Sequence, residues 1–242
     1  MNPRILILGL DADDDYLRAY TDAVRFAGGE PDRRWPAELI GREDAFFERF
    51  LAVYAGVVLP GGEDIYPLRY GECPRPELGP TSAELDEGQL AAARVLLGSR
   101  IPVLSICRGM QVLGVAAGSS LIQDLPAQRP SAVSHNIKEP KDFLAHEVEA
   151  CEGSRLAALC GAAHFGVNSR HHQAVLEGGE GMAGPFQISA WSTDGVPEAM
   201  EIGDHPFLIA VQWHPENLVY ANAAARRLFQ GFIEAARERS GV

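Results

Sequence analysis

Apolar residues in the first half of this chain follow two rhythms in turn. Short unbroken runs of strand length at 4–10, 56–59 and 102–106 are separated by stretches whose apolar positions recur at helical spacing. Leu17, Tyr20, Val24 and Ala27 share one face of a helix predicted over 15–27, stopped by Gly28 and Gly29. Phe46, Phe47, Phe50, Leu51 and Tyr54 do the same over 44–54. Thr81 followed by Glu84 reads as a capping box for a helix over 85–97, and the run at 102–106 feeds a helix over 110–117. The acidic run from Asp11 to Asp15 lacks the alternation and glycine of a calcium loop, so it reads as a solvated helix start.

The rhythm changes after residue 118. Residues 118–134 read as loop, 145–150 as a half-buried strand and 154–160 as a helical turn. Short strand-like runs follow at 186–190, 198–202 and 207–213, and an amphipathic helix over 218–236 ends the chain. Strand–helix alternation is the signature of a parallel sheet with right-handed crossovers; the closely spaced later strands suit antiparallel pairing. A length of 242 residues fits one large α/β domain, and no linker or repeat divides it.

Composition narrows the partners. A net charge of −12 argues against a nucleic-acid groove or an anionic membrane surface, which both require Lys/Arg excess. The N-terminal apolar run is too short for a signal peptide, and no stretch reaches the roughly 20 apolar residues of a membrane span. Cys73, Cys107, Cys151 and Cys160 show no metal-ligand or Cys-x-x-Cys spacing. Reduced thiols in a cytoplasmic setting follow as the expectation.

The chemistry gathers around Cys107. It ends an apolar strand, Gly109 follows, and a helix begins: a sharp strand-to-helix turn that would hold the thiol out above the sheet. Helix N-terminal amides favour negative charge there. A free cysteine is also commonly a core residue, and this stretch alone leaves both readings open. A nucleophile needs a base and a group to orient it. His214 ends a strand, and an extended backbone would aim Glu216, two residues on, at the same side; a surface His beside a turn Glu fits the spacing too. The backbone amide of Arg108 is placed to meet a developing oxyanion, and the Pro60-Gly61-Gly62 loop is a candidate second donor or an ordinary turn. His171 and His172 would face opposite ways on a strand, so joint zinc binding by this pair is not expected; substrate contact or a structural network is. The residues 63–80, rich in Pro, Gly and charge, read as a long surface loop.

Together the motifs LPGGEDIYPLRYGE (59–72), PVLSICRGMQ (102–111), VNSRHHQAV (167–175), GVPEAME (195–201) and VQWHPE (211–216) resemble the class I glutamine amidotransferase-like superfamily. AGGEP at 27–31 and GSSLIQDL at 118–125 belong to the same ordered set. The closest likeness is to the γ-glutamyl-γ-aminobutyrate hydrolase branch, which the 64–72 loop and the double histidine single out. The resemblance implies a three-layer, flavodoxin-like α/β fold and hydrolysis of a γ-glutamyl amide through a thioester. It implies Cys107 as nucleophile, His214 as base, Glu216 as its orienter, and the amides of Gly62 and Arg108 as oxyanion donors. It further implies that Gly61 shapes that loop and that Gln111, Asn168, Ser169, His171, His172 and Gln173 meet the glutamyl part. The 63–72 loop would border the leaving amine. A small γ-glutamyl substrate is expected, with no cofactor and no metal, and association with copies of itself is left open. Ser105, Gly114 and Ser119 depart from the family pattern and loosen only the identity of the substrate. A glutaminase subunit feeding a separate synthetase and a non-enzymatic binder on the same scaffold are the competing readings.

Overall fold

Alternate side chains of each central strand enter opposite layers, and this sets the architecture. The computed structural model describes residues 2–9, 16–35, 39–42, 44–176 and 184–241; the acidic run 11–15 falls outside them. The first half of the chain runs β1 (Arg4–Leu8), α1 (Arg18–Phe26), β2 (Glu30–Arg34), α2 (Asp44–Ala52), β3 (Gly56–Leu59), α3 (Ala83–Leu97), β4 (Val103–Ile106) and α4 (Arg108–Ala116). There follow β5 (Leu121–Ile122), α5 (Leu125–Gln128), β6 (His146–Ala150), α6 (Arg155–Cys160), β7 (His164–Val167), β8 (Ala174–Val175) and β9 (Gln187–Ser192). The chain closes with β10 (Pro197–Glu201), β11 (Leu208–Val211) and α7 (Ala223–Ser240).

Nine strands form one sheet in the order β2-β1-β3-β4-β11-β10-β9-β6-β7. The first five are parallel and the remainder pair antiparallel. Ile5, Ile7, Leu104, Ile106, Ile209 and Val211 pack with α1, α6 and α7; Leu6, Leu8, Val57, Leu59, Val103 and Leu208 pack with α2, α3 and α4. The layers are therefore three, with the flavodoxin-like order that the family resemblance implied. Among the described residues no helix is long and apolar enough to cross a membrane.

The differences from the sequence reading have local causes. β2 departs from it because Glu-Pro-Asp-Arg-Arg has no apolar rhythm. It is an edge strand, and its charges and proline suit an edge; Asp32 accepts from Tyr54 at 2.8 Å and pairs with Arg4 at 2.6 Å. β7, at the opposite edge, is the short strand expected before the double histidine, but it ends at Val167 and leaves His171 and His172 outside it, and the two-residue β5–β8 ribbon with α5 is too short to show a period of its own. The cap of α3 is Ser82 rather than Thr81, with its hydroxyl accepting from the Leu85 amide at 3.3 Å. Thr81 is engaged instead in a parallel bridge with Asp64. The last helix begins at Ala223, capped by Asn222, not at residue 218.

Two devices fix the turn between β4 and α4. A β-carbon at Gly109 would collide with the Leu59 carbonyl oxygen and lie 2.9 Å from the carbonyl carbon, so only glycine lets α4 descend on the end of β3. The Arg108 guanidinium, 1% exposed, is gripped by Asp86 and Gln89 of α3, and Gln89 donates to the Leu8 carbonyl at the end of β1 at 2.6 Å. Burial draws the arginine below its usual range against the pull of Asp86, and pushes the Asp86 carboxyl up against the pull of Arg108.

The 63–80 loop is ordered from both ends. The Asp64 amide donates to the Pro80 carbonyl at 2.9 Å, and its carboxylate accepts from the Gly79 amide at 2.8 Å. Deeper in, the Gln123 side chain donates to Glu72 at 2.9 Å and to the Cys73 carbonyl at 3.1 Å, and accepts from the Arg75 amide at 3.0 Å. His172 lies between two carboxylates, Nδ1 3.0 Å from Asp124 and Nε2 3.1 Å from Asp64, and so joins the loop to the start of α5. The hydrogen bond that the protonated ring donates to Asp64 outweighs burial and, with Asp124, raises the imidazole to about 9.

Two outcomes follow from these ties. Asp86→Ala strands a buried guanidinium and should lower stability by about 3–5 kcal/mol, measured by urea unfolding; a change near zero would show that the pair does not hold the turn. His172 gains affinity for its proton on folding, so its contribution is complete below about pH 6.5, the value for free imidazole, and fades as pH rises through about 9. Tryptic cleavage after Arg69 should therefore accelerate from pH 7.5 to 9.5, relative to cleavage elsewhere in the chain, and His172→Gln should remove that dependence. An unchanged relative rate in the parent would sink the clamp.

Candidate active site

At the end of β4 the backbone makes an unfavourable excursion. Cys107 has φ 53° and ψ −110°, and among the described residues it is the only non-glycine with positive φ. Strain of this kind costs about 1–3 kcal/mol and persists where neighbours over-determine the geometry. Here the Cys107 amide donates to the Val211 carbonyl of β11 at 2.7 Å, and its carbonyl accepts from the Met110 amide at 3.0 Å. The thiol is thereby held at the N-terminus of α4, 7% exposed.

β11 runs beside β4 and delivers His214 to the same edge. Its Nδ1 is 2.7 Å from Glu216 Oε1, which also accepts from Asn217 at 2.9 Å. The carboxylate thus fixes the tautomer and leaves Nε2 for the sulfur. The contact is the expected one, reached differently: residues 215–217 form a 3₁₀ turn rather than an extended strand. Burial works to lower the imidazole, but the charge of Glu216, the charge of Cys107 and hydrogen bonds to both overcome it and hold the ring well above its ordinary value. Cys107, His214 and Glu216 thus form one connected set.

Two tyrosines of the first helical stretch, read from sequence only as apolar-face residues or not at all, reach this set. The Tyr20 hydroxyl accepts from the Gly61 amide at 3.0 Å and lies 3.4 Å from His214 Nδ1. A β-carbon on Gly61 would come within 3.0 Å of both His214 and Tyr20, and 3.1 Å of the Tyr16 hydroxyl. Burial, then the charges of Cys107 and Glu216, raise the Tyr16 phenol; burial, then Glu216, raise that of Tyr20, so both stay protonated. Gly61 is buried, whereas Gly62 is exposed and borders Arg108, whose Cδ would sit 3.0 Å from a β-carbon there. The Arg108 amide is among the first of α4, which helix geometry leaves without an intrahelical partner. The two amides expected to share an oxyanion thus belong to neighbouring residues.

The remaining candidates separate into two groups. Gln111 donates to the Gln173 carbonyl at 3.2 Å and to Gln212 at 3.3 Å, and Gln173 donates to the Gln123 carbonyl at 3.0 Å. Asn168 clamps the His214 backbone from behind, accepting from its amide and donating to its carbonyl, both at 2.9 Å. It is 2% exposed and is therefore placed to support the histidine. Ser169 donates to the His135 carbonyl at 2.8 Å. His171 and His172 face apart, as their adjacency implied: His172 to the 63–80 loop, and His171 into a buried group with Glu198.

Comparison with known proteins identifies the family. The Peptidase C26 family model matches residues 9–216. The γ-glutamyl-γ-aminobutyrate hydrolase of Escherichia coli strain K12 is 36% identical over 224 residues, spanning 89% of this chain and 84% of the relative. A putative glutamine amidotransferase of Mycobacterium tuberculosis is 37% identical over 187 residues, spanning 76% of this chain and 56% of that one. Among solved structures, the glutaminase domain of Trypanosoma brucei CTPS with bound acivicin superposes with a TM-score of 0.67 at 18% identity, covering 98% of this chain and 94% of its own. A putative GMP synthase component from Thermoplasma acidophilum gives the same score at 16% identity, covering 100% and 97%. At those identities the structures speak to the fold alone, but the family match and the hydrolase relative each span most of the sequence: the chain belongs to the Peptidase C26 family.

Proposed function

We propose that the protein is a cysteine hydrolase that cleaves the γ-amide bond of γ-glutamyl compounds, releasing glutamate and a free amine. The observation that carries this reading is the imidazole of His214 held between the Cys107 sulfur and the Glu216 carboxylate, at a turn strained to present that sulfur. The hydrolase relative, alike over most of both chains, supports γ-glutamyl amides as the substrate class.

In this reading the thiol proton rests on His214, stabilised by Glu216. The sulfur attacks the γ-carbonyl carbon, forming a C–S bond while the carbonyl electrons move onto oxygen. The amides of Gly62 and Arg108 hold that oxyanion, and Gly61 stays small so that the histidine can stand above it. Collapse breaks the C–N bond, and His214 gives its proton to the departing nitrogen. Water then adds to the thioester, its proton passing to His214 and its hydroxyl to the acyl carbon. The C–S bond breaks, and glutamate leaves with the ion pair restored. Gln111 and Gln173 shape the glutamyl side, and the loop held by His172 borders the amine.

A panel of γ-glutamyl amides with different amines tests this. The protein alone should release glutamate from at least one of them, and intact-mass spectrometry should detect a γ-glutamyl adduct on Cys107. Cys107→Ala should lower kcat by on the order of 10⁴-fold or more and abolish the adduct. Negligible turnover that rises only with a synthetase partner would favour the glutaminase reading. Full turnover in Cys107→Ala would overturn the mechanism.

A further inference from the structure

Away from Cys107, on the antiparallel side of the sheet, three imidazoles converge on one carboxylate. His135 Nδ1 is 3.2 Å from Glu198 Oε1, and His146 Nε2 and His171 Nε2 are each 3.6 Å from the same oxygen. The side chains are 0–7% exposed. None of these atoms makes a hydrogen bond: His146 and His171 stand too far off, His135 is misaligned, and both Glu198 oxygens are left without one.

The outer nitrogens explain the misfit. His171 Nδ1 is 2.9 Å from the Gln173 carbonyl, and His146 Nδ1 is 3.2 Å from the Glu147 carbonyl. A carbonyl only accepts, so both rings carry their proton on the outer nitrogen. His135 Nε2 faces the Asp194 carboxylate at 3.3 Å. With those outer protons committed, the inner nitrogens of His146 and His171 in neutral rings point lone pairs at a carboxylate oxygen, acceptor against acceptor.

We propose that this cluster is a binding site for a divalent transition-metal ion of the zinc class, with His135, His146 and Glu198 as ligands and His171 beside them. A tetrahedral ion with bonds of about 2.0–2.1 Å sets its donor atoms roughly 3.3 Å apart, close to the 3.2 Å and 3.6 Å at which His135 and His146 stand from Glu198 Oε1. The ligand atoms of His135, His146 and Glu198 lie within 4.8 Å of one another, so small side-chain rotations close the shell. The outer carbonyls and Asp194 are the hydrogen-bond partners that ligating histidines ordinarily keep. An open cavity of about 480 Å³, lined in part by His135, His171 and Asp194, supplies an entry path. The ligands come from the segment before β6, from β6 and from β10. An ion here would brace His135, whose carbonyl accepts from Ser169 and from the His171 amide in the segment that supports His214 and the 63–80 loop.

The test is binding, independent of catalysis. The full chain carrying Cys73→Ser and Cys107→Ala, so that neither the exposed thiol nor the active-site thiol competes, is stripped with a chelator and titrated with Co²⁺. The visible d–d band of a tetrahedral complex should appear and saturate at one equivalent, and Zn²⁺ should displace it and raise the melting temperature. Glu198→Gln and His146→Asn in that background should each weaken binding by about 100-fold or more. If Glu198→Gln fails to fold, His146→Asn, on a half-buried position, decides. Absence of stoichiometric binding in the parent, or equal affinity in a folded ligand variant, would overturn the site.

Discussion

The absence of a side chain at position 109 is the constraint on which the Cys107 end of the sheet depends. With no β-carbon there, α4 can press onto the last carbonyl of β3, and the glycine loop that leaves β3 comes alongside the start of α4. The sulfur, the two candidate oxyanion amides and the space beneath His214 all follow from that contact. The buried Arg108–Asp86 pair adds direction, since it ties the first residue of α4 to α3 and, through Gln89, to the end of β1. A desolvated pair of this kind is a poor source of stability but a sharp specifier of geometry, and here it specifies the helix start that presents Cys107.

Around this centre the polar groups work from behind. Asn168 grips the histidine by its backbone, Tyr20 occupies the Gly61 amide, and Gln123 reaches into the 63–80 loop from the core. None of them needs to touch a substrate to matter. Each removes a freedom that the reacting groups would otherwise have, so that little reorganisation remains when charge develops.

How much of this was readable beforehand depended on the kind of signal. Strand runs at 4–10, 56–59 and 102–106 announced the parallel core, because buried strands are continuous in apolar character. The Cys107 turn and the His214–Glu216 spacing were legible as chemistry, and the family motifs joined them. The edge strand at Glu30–Arg34 was not, since what an edge requires is charge and proline rather than hydrophobic rhythm. The roles of Asp86 and Gln89 were hidden in a helix that displays ordinary polar residues. Tyr20 matched an apolar face because its ring is indeed buried; only the position of its hydroxyl relative to Gly61 shows the second use. The convergence of His135, His146, His171 and Glu198 joins four stretches of chain through β-pairing, a relation that no local spacing encodes.

The positive φ of Cys107 carries one more implication. The backbone there is a loaded spring whose latch is the β4–β11 ladder, because the amide of Cys107 is bonded to Val211 and His214 stands just beyond the end of the same strand. Anything that frays that pairing relaxes the cysteine and withdraws the imidazole in one motion. The approach of Cys107 to His214 therefore depends on the order of a single strand pair, while the broad apolar layers on either side still hold the rest of the chain together.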